Sequence, residues 1–287
     1  MGRQITVAAC QTGPVLTEDM ADHVPGAVAM IRAAAETGAE IACFGELFLT
    51  PFFPNSLRRD AEKFFAELSD PRLAPLLDAA RDAGMALILP YGERANGHFY
   101  NSTAVIGRRG DLLGHYRKTH IPAILPSGLK GGTGSYEKFY FTPGRELPVF
   151  EVDGVRVGVQ ICYDRKYPEG SRALAVDGAE ILFMPICAAT YGEIKLRDHT
   201  WDLPLRARAY ENGVFVVAVN RAGDEHGRLH MGRSMIINPI GAEIMVEAGE
   251  DMSEVLTATL DMADVASAQQ SLPWQRDRRP EIYDALV

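Results

Sequence analysis

Two hydrophobic patterns alternate along this chain. Short apolar, β-branched runs give way to stretches whose apolar positions recur every three or four residues, and that alternation predicts an α/β fold. The runs place strands at 3–11, 40–45, 86–92, 100–107, 155–161, 179–185, 214–220, 232–238 and 255–261. The helical spacing places helices at about 19–37, 71–84, 168–177, 202–212 and 262–271. Val214-Phe-Val-Val-Ala-Val-Asn220 is apolar almost throughout and implies a strand covered on both faces, whereas 100–107 reads as a hairpin member. Pro25 should kink or restart the first helix, and Pro204 falls in the first turn of a helix that begins near Asp202. No tandem repeat, linker or low-complexity break divides the chain, so one domain over residues 1–287 is expected.

Composition narrows the class. The 287 residues are 47% hydrophobic and 23% charged, the proportions of an ordinary globular enzyme rather than of a disordered or fibrous chain. A net charge of −9 gives no support for a nucleic-acid or membrane surface, so any basic feature that matters must be local. No apolar stretch reaches the roughly 18 residues that a bilayer span needs. The N-terminus passes straight into a strand without the apolar core of a secretory signal. Cys10, Cys43, Cys162 and Cys187 are scattered with no CxxC pair, which argues against zinc and against a disulfide framework. The expected compartment is a reducing cytoplasm, with no metal and no cofactor.

One of those cysteines is set apart by its surroundings. Cys162 follows the apolar run of Val155-Arg-Val-Gly-Val-Gln-Ile161, and Pro168 then opens an alanine-rich helix that Gly178 is placed to stop. A thiol on a sharp strand-to-helix turn is accessible to a substrate, and the N–H groups of the turn can face a developing oxyanion. A free thiol has a pKa of about 8.5 and so needs a base or a nearby cation. Glu46 ends a strand and emerges among Leu-Phe-Leu-Thr-Pro-Phe-Phe, where poor solvation suits a carboxylate to take up a proton. Lys118, in Gly114-His-Tyr-Arg-Lys-Thr-His-Ile-Pro122, could stabilise both a thiolate and an oxyanion. Ser127-Gly-Leu-Lys-Gly-Gly-Thr-Gly134 lacks the Gly-Lys-Ser/Thr ending of a phosphate loop. It reads as part of a loop over 123–136 that could lid the substrate. His199, His226 and His230 read as loop residues with surface roles, and Trp201 as a wall of the pocket.

Eight fragments in order resemble the nitrilase, or carbon–nitrogen hydrolase, superfamily. They are Val7-Ala-Ala-Cys-Gln11, Gly45-Glu-Leu-Phe48, Tyr100-Asn-Ser102, Tyr116-Arg-Lys-Thr-His-Ile-Pro122, Ile161-Cys-Tyr-Asp-Arg165, Gly178-Ala-Glu-Ile-Leu182, Arg208-Ala-Tyr-Glu-Asn-Gly213 and Asn238-Pro-Ile-Gly241. The resemblance implies a four-layer α-β-β-α sandwich and a catalytic Glu-Lys-Cys triad carried onto Glu46, Lys118 and Cys162. It also implies a second carboxylate, which falls on Glu137, and support for the site from His120.

Within the superfamily, Cys-Tyr-Asp-Arg-Lys-Tyr-Pro-Glu mixes the Cys-Tyr-x-Arg of ureidopropionases with the Cys-x-Asp-Arg-Arg-x-Pro-Glu of N-carbamoyl-D-amino acid hydrolases. That likeness implies that Arg165 grips a substrate carboxylate, with Tyr163 and Lys166 beside it. The chain departs from the D-amino acid enzymes at Lys166, which replaces an arginine, and at Ser135 and Tyr136, which stand where those enzymes carry a histidine. The expected activity is a thiol-dependent amidohydrolase of an N-carbamoyl amino acid. An ω-amidase or aliphatic amidase, a nitrilase and a catalytically silent scaffold remain alternatives. The family also implies a homodimer or larger homo-oligomer, with the tail at 272–287 packing across a partner.

Overall fold

The computed structural model describes residues 2–123, 134–189 and 200–286. Its strands are β1 (Gln4–Gln11), β2 (Ile41–Phe44), β3 (Ala86–Ala95), β4 (His98–Ile106), β5 (Leu112–Arg117), β6 (Val149–Val152) and β7 (Val155–Val159). They continue with β8 (Ile181–Pro185), β9 (Phe215–Val219), β10 (Ala222–Glu225), β11 (Arg228–Met231), β12 (Met235–Ile237), β13 (Ile244–Glu247) and β14 (Glu254–Asp261). The longer helices are α1 (Val24–Glu36), α2 (Ala74–Asp82), α3 (Pro168–Val176), α4 (Asp202–Asn212) and α5 (Ala263–Ser271).

Two six-stranded sheets result, ordered β14-β1-β2-β3-β4-β5 and β13-β12-β9-β8-β7-β6. Each has a parallel centre, β1-β2-β3 in one and β7-β8-β9 in the other, flanked by antiparallel strands. The period-two alternation of strand side chains explains the layering. Ile5, Val7, Ala9, Ile41 and Ile88 of the first sheet meet Val157, Val159, Ile181, Phe183, Phe215 and Val217 of the second in one inner core. The intervening residues face outward. Ala8, Cys10, Phe44, Leu87 and Leu89 pack under α1 and α2, while Leu182, Met184, Val216 and Ala218 pack under α3 and α4. The order helix, sheet, sheet, helix is the four-layer sandwich expected.

Differences from the sequence reading have local causes. The first helix is broken into a short 3-10 turn at Met20–Asp22 and α1, with Pro25 in the first turn of α1. The strand expected at 232–238 is only Met235–Ile237, because Gly232 and Arg233 have φ of 57° and 55° and leave the extended region. Strands β5, β6, β10, β11 and β13 lack a continuous apolar run and were not foreseen; they sit at sheet edges or in the small β10-β11 ribbon. The first part of the tail packs on its own chain: Trp274 lies edge-on to Tyr210, and Gln275 Nε2 donates to the carbonyls of Ala175 and Asn212. Glu281 to Asp284 are exposed. No helix among the described residues is long and apolar enough to cross a membrane. Residues 124–133, which hold all of the glycine-rich stretch but Gly134 and most of the loop at 123–136, lie outside the described residues, as does His199.

Two glycines let backbones approach where it matters for the site. A Cβ on Gly45, just after β2, would lie 3.1 Å from the Ile186 carbonyl. A Cβ on Gly144 would lie 2.1 Å from the Arg117 carbonyl, and the Gly144 N–H donates to the Lys118 carbonyl at 2.9 Å. Gly144→Ala therefore forces the strand end that carries Lys118 to move. We expect it to destabilise the fold by about 3 kcal/mol in urea titration, at the upper end of overpacking costs, whereas a change below about 0.5 kcal/mol would contradict the tight approach.

Candidate active site

Strand ends deliver the chemistry. Glu46 stands two residues past β2, Lys118 one residue past β5, and Cys162 three residues past β7. The chain leaves β7 through Gln160 and Ile161, and Cys162 opens a 3-10 turn, Cys162–Lys166, with φ of 46°. That left-handed conformation is costly for a residue with a Cβ and gives the sharp turn its direction. Glu137 opens a 3-10 turn of its own, Glu137–Phe139.

Lys118 is the centre of the cluster. Its Nζ donates to Glu46 Oε1 and to Glu137 Oε2, both at 2.7 Å, and the side chains are 0%, 0% and 3% exposed in that order. Asn101, from β4, donates from Nδ2 to Glu46 Oε1 at 2.7 Å and accepts the Lys118 N–H on its own carbonyl at 2.9 Å. Ser135 Oγ donates to Glu137 Oε1 at 3.0 Å. This leaves Glu46 Oε2 buried with no hydrogen-bond partner among the described residues. An orphaned carboxylate oxygen is costly unless it has a proton to receive.

The electrostatics follow from burial and from a local excess of acid. Burial works against the Lys118 charge, but Glu137 and Glu46 override it and hold the ammonium well above its ordinary range. Burial raises the Glu137 carboxyl, the Lys118 charge opposes the rise, and Glu46 adds to it. Burial also pushes the Cys162 thiol up, and Glu46 pushes it further, against the pull of Lys118 and Arg165. The resting thiol is therefore protonated.

Asp164 fastens the cysteine turn to the lysine strand. It accepts from the Tyr116 hydroxyl at 2.7 Å, Thr119 Oγ1 at 3.1 Å, the His120 N–H at 2.9 Å and the Ile161 N–H at 2.9 Å. His120 Nδ1 lies 2.8 Å from the same carboxylate, which makes Nδ1 the donor. The ring stacks on Tyr167 at 3.9 Å, so His120 supports the turn from beside it. Tyr163 is half-buried and edge-on to Tyr167.

Arg165 is buried. Its Nη1 donates to the Cys162 carbonyl at 2.7 Å and approaches Cys162 Sγ at 3.5 Å, and its guanidinium lies 5.3 Å over the Trp201 ring. Its Nε has no partner, and no carboxylate pairs with it among the described residues. Lys166, grouped with Arg165 in the sequence reading, is exposed.

His226 is exposed at a turn, as expected, but His230 is a fully buried residue of β11 and not a loop residue. Its strand was missed because polar residues interrupt the run. Asn101, Ser135 and Asp164 were not singled out for a role. Asn101 and Asp164 lie inside fragments that carried the family resemblance, and that was the available signal.

Three comparisons bear on this geometry. The carbon–nitrogen hydrolase family model matches residues 6–270. The chain is 35% identical to an N-carbamoylputrescine amidase of Solanum tuberosum, with 99% of this chain and 95% of the relative covered. It is 34% identical to a citrullinase of Francisella tularensis, with 94% of each covered. Among solved structures, a carbon–nitrogen hydrolase from Helicobacter pylori G27 superposes with a TM-score of 0.87 at 27% identity, covering 99% of this chain and 98% of that one.

The raised thiol gives a titration to check. The thiolate absorbance of wild type minus Cys162→Ala should develop only above the ordinary thiol range, because burial and Glu46 both favour the protonated form. A thiolate already formed at neutral pH would contradict the charge balance described.

Proposed function

The chain belongs to the carbon–nitrogen hydrolase family of the nitrilase superfamily and is a hydrolase of amide C–N bonds, and from that premise we propose that it cleaves the carbamoyl C–N bond of an N-carbamoyl amino acid. The reading of the site is a thiol mechanism. Glu46 takes the Cys162 proton on Oε2 as Sγ attacks the carbamoyl carbon. Lys118 Nζ and the Tyr163 N–H stabilise the tetrahedral oxyanion. Glu46 returns the proton to the leaving nitrogen and ammonia departs. Water, activated by the same carboxylate, then hydrolyses the S-acyl intermediate. The released carbamate loses CO2 to give the free amino acid. Glu137 positions Lys118 and the carbamoyl group rather than moving the thiol proton, since both of its oxygens already have donors.

The observation that carries the substrate class is Arg165. A guanidinium buried beside Sγ, with no carboxylate partner among the described residues, is a charge that a bound carboxylate would pair with. The carbamoyl half of the reading has a second support. Both relatives named above act, by their names, on a carbamoylated nitrogen, one of an amine and the other of citrulline. The first of these favours an alternative in which the far end of the substrate is an amine. Arg165 would then serve only the Cys162 carbonyl and the Trp201 face.

Ammonia release over N-carbamoyl-D- and L-amino acids, N-carbamoyl-β-alanine, N-carbamoyl amines and simple amides separates these readings. Arg165→Ala should raise KM about 10- to 100-fold on the carboxylated substrate, the scale of a lost charge-assisted bidentate pair, and leave its neutral analogue little changed. Equal loss on both, with a lower Tm, would assign Arg165 to the turn instead. Wild-type preference for the neutral analogue would end the amino acid reading. Glu137→Gln should keep KM within about threefold while kcat falls at least about tenfold, because the substitution touches placement rather than uniform binding; wild-type turnover would remove Glu137 from the site.

A further inference from the structure

Leu47, the residue after Glu46, has φ of 51°, the left-handed region that a branched side chain rarely enters. Nothing in leucine favours this conformation, so its surroundings must impose it. The imposing group comes from the opposite sheet. Arg221, two residues past β9, is 1% exposed, and its Nη2 donates to the carbonyls of Leu47 at 2.8 Å and Thr50 at 2.9 Å. Its Nη1 pairs with Glu225 Oε2, which also accepts the Val15 N–H at 3.0 Å. Glu225 Oε1 accepts the Phe52 N–H at 2.7 Å. The segment that leaves Glu46 is thus gripped at its start, middle and end by one buried ion pair. On its other side, the Glu46 N–H donates to the Ile186 carbonyl at 3.2 Å.

We propose that the Arg221–Glu225 pair positions Glu46: by clamping the left-handed turn at Leu47 it fixes the direction in which the carboxylate leaves β2, and with it the placement of the unpartnered Oε2. The inference rests on the reading of Glu46 as the base for Cys162. Arginine suits the task because one planar fork spans two carbonyls while its other arm meets a carboxylate. Lysine would keep the charge and lose the fork. Without the clamp, Leu47 can relax toward negative φ, and a small swing of the backbone there displaces the carboxylate by enough to matter for proton transfer. Cys187, whose Sγ lies 3.8 Å from His230 Nδ1, and His230 itself, 3.7 Å from Glu225, pack behind the pair.

The test compares Arg221→Lys, Asn101→Ala and the double variant on whichever amide releases ammonia fastest, with kcat expressed per site titrated as acyl-enzyme. Asn101 is the second handle because it bonds the same Glu46 carboxylate from the first sheet. Arg221→Lys should lower kcat about tenfold with KM within about twofold, the pattern of lost positioning. The double variant should lose little more than the worse single one, since both substitutions act through one carboxylate. Wild-type kcat in Arg221→Lys would overturn the proposal. So would losses that multiply, which mark a general loosening unconnected with Glu46. If Arg221→Lys does not fold, Glu225→Gln carries the same expectations, because it keeps an acceptor for Phe52 while weakening the hold on Arg221. Glu46→Gln separates the two layers of argument. If it retains turnover, the base assignment falls and the clamp with it; if it is inactive while Arg221→Lys turns over normally, only the clamp falls.

Discussion

One ammonium, buried and bonded to two carboxylates, constrains everything around it. Lys118 stands 2.7 Å from Glu46 and from Glu137 with no solvent to share the cost. Removing such charges from water costs several kcal/mol per ion, and the mutual attraction repays it only when geometry is good and the remaining lone pairs are filled. Asn101 and Ser135 fill two of them. The cluster can therefore exist only if the segments that carry Lys118, Glu46 and Glu137 arrive together, and the site around it is held at several separate points. The Gly144 contact and Asn101 hold the lysine end of β5, Asp164 ties the cysteine turn to it, and the residues after Glu46 are gripped from the second sheet.

The same cluster sets the proton inventory. Burial and the two neighbouring carboxyl groups oppose a thiolate at Cys162, while Lys118 and Arg165 pull toward it. Burial and Glu46 keep the thiol protonated, and the proposed mechanism removes that proton at the moment of attack. Of the four carboxylate oxygens of Glu46 and Glu137, only Glu46 Oε2 has no donor among the described residues. The two glutamates are thus made unequal by their hydrogen bonds rather than by residue type. Arg165 stands apart as a buried cation that no described carboxylate neutralises, and that is why the proposed substrate carries its own.

Much of the architecture was legible because buried strands of parallel sheets are continuous apolar runs. β1, β2, β3, β7, β8 and β9 were all read within a few residues of their observed bounds. The edge strands β5, β6 and β13 were not, since a strand such as β5, with a glycine, a histidine and an arginine, has no pattern that separates it from a loop, whereas the edge strand β14 was read at 255–261. Glu46, Lys118 and Cys162 were legible only as a set, through the fragments around them. Their partners were not. Asn101 acts through an amide from a hairpin strand, Asp164 through contacts to the Tyr116–His120 segment far from it in sequence, and Arg221 across the sheet interface. Long-range hydrogen bonds leave no periodicity. His230 was misplaced for the related reason that one buried polar residue in a short ribbon looks like a surface loop.

The claim that unites these points is that Cys162 becomes acylated, with Glu46 removing its proton. Mass spectrometry of the protein quenched during turnover tests it most directly. Wild type should carry the substrate mass less ammonia on the Cys162 peptide, and Glu46→Gln should carry none. An adduct on Cys10, Cys43 or Cys187, or an unmodified Cys162 throughout turnover, would contradict the account.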